Sequence, residues 1–326
     1  MSATREDAAG APALVLGCNG QDGTFLTRHL LRRGHDVVGL GHEPVSHHGE
    51  QAHFRYARVD LRDQAALAPL LEEVRPARIF HFAAVHTHAG GPSFEQMFGD
   101  MLDVNVKSVH TCLEHMRGRS DGPRLIYAAS VKCFGTPLPA TIDEATPKKN
   151  ACLYSISKNT TAALIGSYRD SHGVLAGSVY LFNHESELRP PPFFMPKLVR
   201  ALAGERVTFF TTRFFCDWGS ADEYSDIMID IVDRAPGEDF VLATGRCLDV
   251  RELCERLFTE RGMNIADHVV EQDTAPSGTP YQVDLAKLRR LVERVPEVRI
   301  EHVVARMLEA RMLAPPDPAR TTDPSR

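Results

Sequence analysis

The sequence predicts an α/β fold: a Rossmann-type doubly wound parallel sheet with a smaller C-terminal substrate domain. Three observations carry that prediction. A short apolar run, Ala13 to Leu16, opens onto Gly17-Cys18-Asn19-Gly20-Gln21-Asp22-Gly23 and then onto a helical pattern. Strand, Gly-x-x-Gly-x-x-Gly turn and helix together cradle a pyrophosphate, because the glycines allow close backbone approach and the helix N-terminus favours negative charge. Strand-length apolar runs then alternate with helical patterns, which demands crossovers and hence a parallel sheet covered on both faces. Finally, a strand ending on Ser130 is followed by Tyr154-Ser155-Ile156-Ser157-Lys158, a spacing that sets a phenol and an ammonium one helical turn apart on one face.

The first helix buries Phe25, Leu26 and Leu30 and stops at Gly34, as expected of a C-terminal glycine. A second buried strand, Asp36 to Leu40, completes a βαβ unit. At its end an acid grips ribose hydroxyls, whereas an arginine accepts a 2′-phosphate. Gly41-His42-Glu43 follows neither pattern, so the cofactor is NAD or NADP, with Glu43 favouring NAD. Arg55 to Asp60 reads as a strand, Gln64 to Val74 as a helix, Arg78 to Ala84 as a strand and Asn105 to Arg117 as a long helix before the Leu125 to Ala129 strand. In such sheets ligands lie beyond the carboxyl ends of the strands. That rim collects the glycine turn, Asp60, Leu61, Phe82, Ala83, Ala84 and Ser130.

The second half reads as a strand from Val174 to Phe182, a crossing through Pro190-Pro191-Pro192 and a helix from Met195 to Leu202. A β-like Val207 to Phe215, a helix around Tyr224 to Val232 and a strand from Phe240 to Ala243 follow. Asp249 then opens a helix with Glu252 three residues on, a capping-box-like pair. The expected organisation is a flexible tail over 1–10, a dinucleotide domain over 11–182 and a substrate-binding region over 183–313, with 224–245 returning to the main sheet. A proline-rich disordered tail is expected over 314–326.

Composition narrows the function. With 326 residues and 43% hydrophobic content the chain can bury a large core. No apolar run approaches the roughly eighteen residues of a membrane span, and Arg5, Glu6 and Asp7 are unlike a signal peptide. Cys18, Cys112, Cys133, Cys152, Cys216, Cys247 and Cys254 form no C-x-x-C pair, so neither a disulfide framework nor zinc is predicted and a reducing cytoplasm is expected. A net charge of −6 argues against nucleic-acid binding. His47 and His48, and the His81, His86 and His88 group, lack metal-ligand spacing, so no metal is expected.

A free phenol titrates near pH 10, too high for a base at neutral pH. An ammonium about 4 Å away, at an effective dielectric of about 20, favours the phenolate by roughly 4 kcal/mol before desolvation. Tyr154 could then take the proton of a sugar hydroxyl while a nicotinamide takes the hydride, with Ser130 bonded to the same oxygen. Y-x-x-x-K is common on helix surfaces; the glycine turn upstream gives it weight.

On these residues the chain resembles an extended short-chain dehydrogenase/reductase, and within that superfamily it is similar to the GDP-mannose 4,6-dehydratase group. The resemblance runs from about Ala13 to Gly245. It adds Ser93-Phe94-Glu95-Gln96, Asn183-His184-Glu185-Ser186, Asp217-Trp218-Gly219 and Glu238-Asp239-Phe240-Val241-Leu242-Ala243-Thr244-Gly245 to the motifs above. It implies a nucleotide-sugar enzyme that oxidises C4 of a hexose; the ketone acidifies the C5 hydrogen, water leaves from C5/C6 and the hydride returns to C6. By that pattern His184 and Arg189 join Tyr154, Lys158 and the turn residues Gly17, Asn19, Gly20, Gln21, Asp22 and Gly23 on the cofactor. Ser93, Asn183, Glu185, Lys197 and Arg213 are assigned to the substrate, and a homodimer or homotetramer is expected.

The chain also departs from the group. A glutamate expected two residues after Ser130 is Lys132, the arginine expected before Asp217 is Cys216, and the paired arginines for an NADP phosphate are His42 and Glu43. Inverting UDP-sugar 4,6-dehydratases look similar in carrying a lysine at the first of these positions, so Lys132 is a candidate C5 acid/base. A C4 oxidoreductase or epimerase that never expels water is the alternative reading, and a non-catalytic NAD(P)-binding protein is a second.

Overall fold

The computed structural model describes residues 10–86, 91–119 and 121–313. The two terminal tails, apart from Gly10, and His88 lie outside the described residues. The first half runs β1 (Ala13–Leu16), α1 (Gln21–Arg32), β2 (Val37–Gly41), β3 (Phe54–Arg58), α2 (Gln64–Val74), β4 (Arg78–His81), α3 (Phe94–Met101), α4 (Ser108–Met116), β5 (Arg124–Ser130), β6 (Thr141–Ile142) and α5 (Leu153–His172). The second half runs β7 (Leu175–Leu181), β8 (Asn183–Glu185), α6 (Phe194–Leu202), β9 (Val207–Phe209), β10 (Phe215–Ser220), α7 (Ala221–Arg234), β11 (Phe240–Leu242), β12 (Cys247–Asp249), α8 (Val250–Thr259), α9 (Ile265–His268), β13 (Val269–Glu271), β14 (Gln282–Val283), α10 (Ala286–Val292) and α11 (Ile300–Leu313).

Seven strands form a sheet in the order β11-β7-β5-β4-β1-β2-β3, every pair parallel. The order reverses between β1 and β4, and a crevice opens there at the carboxyl ends. Successive side chains point to opposite faces, which is why β1, β2 and β11 are apolar and buried throughout, while the edge strand β3 carries Arg55 and Arg58. Leu14 and Leu16 pack with Leu71, Leu113 and Ile165 of α2, α4 and α5, whereas Ala13 and Val15 pack with Leu26, Ile227 and Met228 of α1 and α7. A third cluster around Met195, Phe209, Trp218, Leu253 and Val303 is the core of the substrate-side half. There β12-β10-β8 forms a small sheet in which Asn183, His184 and Glu185 lie beside Trp218, Gly219 and Ser220.

Several element boundaries differ from the predicted ones. The strand expected to reach Ala84 stops at His81, because the Phe82 and Ala83 amides both turn to donate to the Leu16 carbonyl, at 3.0 and 2.8 Å. The β-like Val207 to Phe215 divides into β9 and β10 where the Thr212 amide and hydroxyl, at 2.8 and 2.7 Å, donate to Glu271. The helix expected from Asn105 begins at Phe94, capped by Ser93 and Gln96, and passes through a π-helical stretch, Leu102–Lys107, before α4. Beyond the predicted elements, α10 and α11 follow; Ile300, Val303, Val304 and Met307 stand at amphipathic-helix spacing and are buried, as is Leu288.

Candidate active site

The glycine turn forms because its neighbours leave no room for side chains. Gly17 has φ +85°, and a Cβ there would stand 2.7 Å from the Ala83 nitrogen. A Cβ on Gly23 would stand 2.1 Å from the Gly17 carbonyl oxygen. Such a turn is a backbone cradle that admits a phosphate chain and little else. Beside it lies a cleft of about 370 Å³ lined by Gly17, Asn19, Glu43, Asp60, Leu61 and Ala84 among others. Gly20, Phe82 and Ala83 also face it. Its size and polar rim fit a dinucleotide, so the residues present suit the expected coenzyme.

Glu43 reaches the cleft from the end of β2 and accepts from Asn19 Nδ2 at 3.2 Å. Asn19 also donates to the Val45 carbonyl and accepts from Ser46, so the β2–β3 connection is fastened to the turn. Across the cleft, Arg62 grips Asp60 with contacts of 2.6 to 3.1 Å and holds its carboxyl down to about 2.

Gln21, Asp22 and His184, expected on the cofactor, are bonded to one another. His184 Nε2 lies 3.0 Å from Asp22 Oδ1, and His184 Nδ1 lies 2.6 Å from the Phe182 carbonyl. Gln21 donates to the His184 carbonyl and accepts from Ser186 at 2.8 Å. Burial opposes charge on both groups of this pair, but each partner outweighs it: Asp22 is held below the usual carboxylate range and His184 is raised. The N-H-E-S segment is thereby fixed to the start of α1.

Ser130, Tyr154 and Lys158 come together at the carboxyl end of β5. Lys158 is 1% exposed, donates to the Ala128 carbonyl at 2.8 Å and lies 4.5 Å from the Tyr127 ring centre and 5.7 Å from that of Tyr154. Burial pushes it down to about 8. Tyr154 is buried too, and its phenol is raised rather than lowered, because desolvation and the neighbouring Cys133 outweigh the Ser130 hydroxyl and Arg189, which work the other way. Burial thus eases loss of the lysine proton, and the phenol is raised instead of lowered as expected. Ser130 caps the next turn by accepting from the Lys132 amide at 3.2 Å. Lys132 is exposed on that turn, and its ammonium has no hydrogen-bond or ion-pair partner among the described residues.

The substrate-side candidates are more scattered. Asn183 is exposed and donates to Cys216 Sγ at 3.0 Å. Glu185 is buried, is raised by that burial and faces Arg189 Nε at 3.3 Å. Arg189 also lies 4.0 Å over the Phe193 ring. Arg213 stands 3.8 Å from Glu271, and Lys197 is half-buried on α6. Ser93 is spent on capping α3.

Sequence reasoning missed the supports of this site. The π-helical stretch turns Asn105 inward, where its carbonyl accepts from Thr161 at 2.7 Å and its side chain bonds Val85 and Ser157. His81, fully buried behind Lys158, bonds Ser108 at 2.6 Å and is lowered to about 3 by burial, so it stays neutral. A lone asparagine within an amphipathic helix carries no sequence signal for such a role.

Comparison with known proteins decides the family. The family model described as GDP-mannose 4,6 dehydratase matches residues 14–307. The chain belongs to that family. It is 31% identical over 326 residues to GDP-mannose 4,6 dehydratase 1 of Arabidopsis thaliana, covering 91% of this chain and 88% of the relative. It is 26% identical over 340 residues to GDP-mannose 4,6 dehydratase 2 of Caenorhabditis elegans, covering 91% and 87%. Among solved structures it is similar in fold to a dTDP-glucose 4,6-dehydratase from Streptomyces venezuelae with NAD bound, at TM-score 0.78 and 19% identity over 92% of this chain and 97% of that one. A UDP-glucose 4-epimerase from Thermotoga maritima with UDP-glucose gives TM-score 0.79 at 17% identity, over 92% and 98%. The extended short-chain dehydrogenase/reductase fold is thus shared with enzymes whose names span dehydration and epimerisation.

Proposed function

We propose that the protein is a nucleotide-sugar 4,6-dehydratase that uses NAD and acts through a 4-keto intermediate, as family membership leads one to expect. The convergence of Tyr154, Ser130 and the buried Lys158 beside the glycine-turn cleft is the observation that carries this reading. Bound in the cleft, the coenzyme supplies hydride acceptance at C4 and hydride return at C6. Tyr154 takes the C4 hydroxyl proton, Ser130 donates to the same oxygen, and Lys158, poised near 8, favours the phenolate when charged. Lys132 serves the loss of water. Asn183, Glu185, Lys197, Arg213 and Ser93 are proposed to position the nucleotide sugar, and Asp22, His184 and Arg189 to serve the coenzyme.

Glu43 supports NAD: an arriving 2′-phosphate would meet a carboxylate where a guanidinium is required. A GDP-hexose is the substrate favoured by the relatives' names, and a homodimer or homotetramer is proposed and testable by light scattering. The alternative, C4 oxidation or epimerisation without water loss, is favoured by the replacement of the group's glutamate with Lys132. Mass spectrometry after incubation with GDP-, UDP-, CDP- and dTDP-hexoses separates the two: dehydration loses about 18 mass units and oxidation about two. Tyr154→Phe should abolish either product; equal activity in wild type and Tyr154→Phe would contradict the mechanism.

A further inference from the structure

We propose that His86 is a second proton-transfer residue of this site, taking the C5 proton during water loss while Lys132 protonates the departing C6 hydroxyl. The assignment rests on the dehydration reading above and adds a group to it. Elimination from a 4-keto hexose moves two protons besides the one removed at C4, and the site must supply both a base and an acid. Tyr154 and Ser130 are engaged at the C4 oxygen, and Lys158 is sealed in the core with its ammonium on the Ala128 carbonyl. Val131 is apolar, Glu185 faces Arg189 and Asp22 is paired with His184. Among the described residues the imidazole of His86 packs against the Tyr154 ring.

The His86 ring meets the Tyr154 ring edge-on, centres 4.7 Å apart at 86°. C5 is one bond from the carbon that Tyr154 serves, and His86 is a titratable group packed against that ring. Phe94 from α3 and Phe193 from the substrate side flank the imidazole at 6.3 and 6.2 Å, and Phe94 also stacks on Tyr154 at 6.2 Å. His86 is exposed and stands at the carboxyl end of β4, on the rim that carries the cleft. Its approach is fixed from behind. The fully buried Asn105 accepts from the Val85 amide at 2.8 Å, donates to the Val85 carbonyl at 3.2 Å and donates to Ser157 at 3.1 Å, tying the His86 backbone to the helix that bears Tyr154 and Lys158. An imidazole is the side chain whose ordinary pKa makes it a neutral base near pH 7, and an exposed ammonium is its natural acid partner.

The balance closes. The C5–H bond breaks, its proton goes to His86, and its electron pair enters an enolate whose oxygen Tyr154 and Ser130 hold. The C6–O bond then breaks as Lys132 gives a proton to the leaving hydroxyl, and water departs. Return of the hydride to C6 is matched by delivery to C5 of a proton from His86, which exchanges with solvent; Tyr154 releases to solvent the proton taken at C4, and solvent reprotonates Lys132. One water is lost, with no net oxidation.

The test compares wild type, His86→Phe and His86→Gln with the nucleotide hexose that wild type converts, in D2O. Phenylalanine keeps the ring packing and removes the proton transfer. In both variants water loss should fall at least about 100-fold. The 4-keto hexose two mass units below substrate should accumulate with reduced coenzyme, deuterium at C5 should disappear, and calorimetric affinity for the nucleoside diphosphate should stay within about threefold of wild type. Wild-type water loss in His86→Phe would overturn the assignment, as would an equal fall in C4 oxidation and water loss. Wild type that oxidises C4 and never loses water would overturn the dehydration reading and this assignment with it, a result visible before any variant is made.

Discussion

Replacing Lys158 by methionine tests the electrostatics of the site without relying on turnover. The side chain is 1% exposed, and burial lowers it from an ordinary value of 10.5 to about 8. A lysine with a depressed folded-state pKa binds fewer protons folded than unfolded between those two values, so stability rises with pH across that window and is reduced below it. With about 8 folded and 10.5 unfolded, the penalty is about 3 kcal/mol at pH 7 and about 1 kcal/mol at pH 10, a change of about 2 kcal/mol. Methionine has similar length, carries no charge and removes this dependence, while leaving the Ala128 carbonyl without its donor at a cost of about 1–3 kcal/mol. Urea unfolding of both proteins at pH 7 and pH 10 isolates the residue, because every other titrating group cancels in the double difference. Wild type should gain about 2 kcal/mol on Lys158→Met between the two pH values. Identical pH dependence in the two proteins would show that Lys158 is not held in a desolvated, charge-disfavouring pocket, and the account of the Tyr154–Lys158 pair would fail.

Two further predictions concern the coenzyme cleft. Glu43→Ser removes the carboxylate at the end of β2 and should shift the ratio of NAD to NADP affinity toward NADP at least about tenfold, or about 1.4 kcal/mol, measured by fluorescence titration of the reduced forms; an unchanged ratio would remove Glu43 from cofactor choice. Gly23→Ala places a Cβ 2.1 Å from the Gly17 carbonyl oxygen, so the turn must open, with a stability loss of about 1–3 kcal/mol and loss of coenzyme binding in the same titration. Wild-type binding by that variant would show that the turn does not form the cradle.

The sequence by itself determined the fold class, the glycine turn and the rim, because these follow from local patterns: apolar runs of strand length, glycines where no Cβ fits, and a four-residue helical spacing from Tyr154 to Lys158. Glu43 and Lys132 were legible as departures from a known pattern. Tertiary structure alone decided what surrounds them. The phenol is raised because folding takes Tyr154 out of water, a cost that no spacing records. Gln21 and Asp22 meet His184 across more than 160 positions of chain, at |i−j| of 163 and 162. Asn105 turns inward on a π-helical stretch, and His86 is brought edge-on to Tyr154 by a loop whose entry that asparagine fixes. Contacts between segments remote in sequence depend on how the sheet and its crossovers pack, and that packing is a property of the whole chain rather than of any window within it.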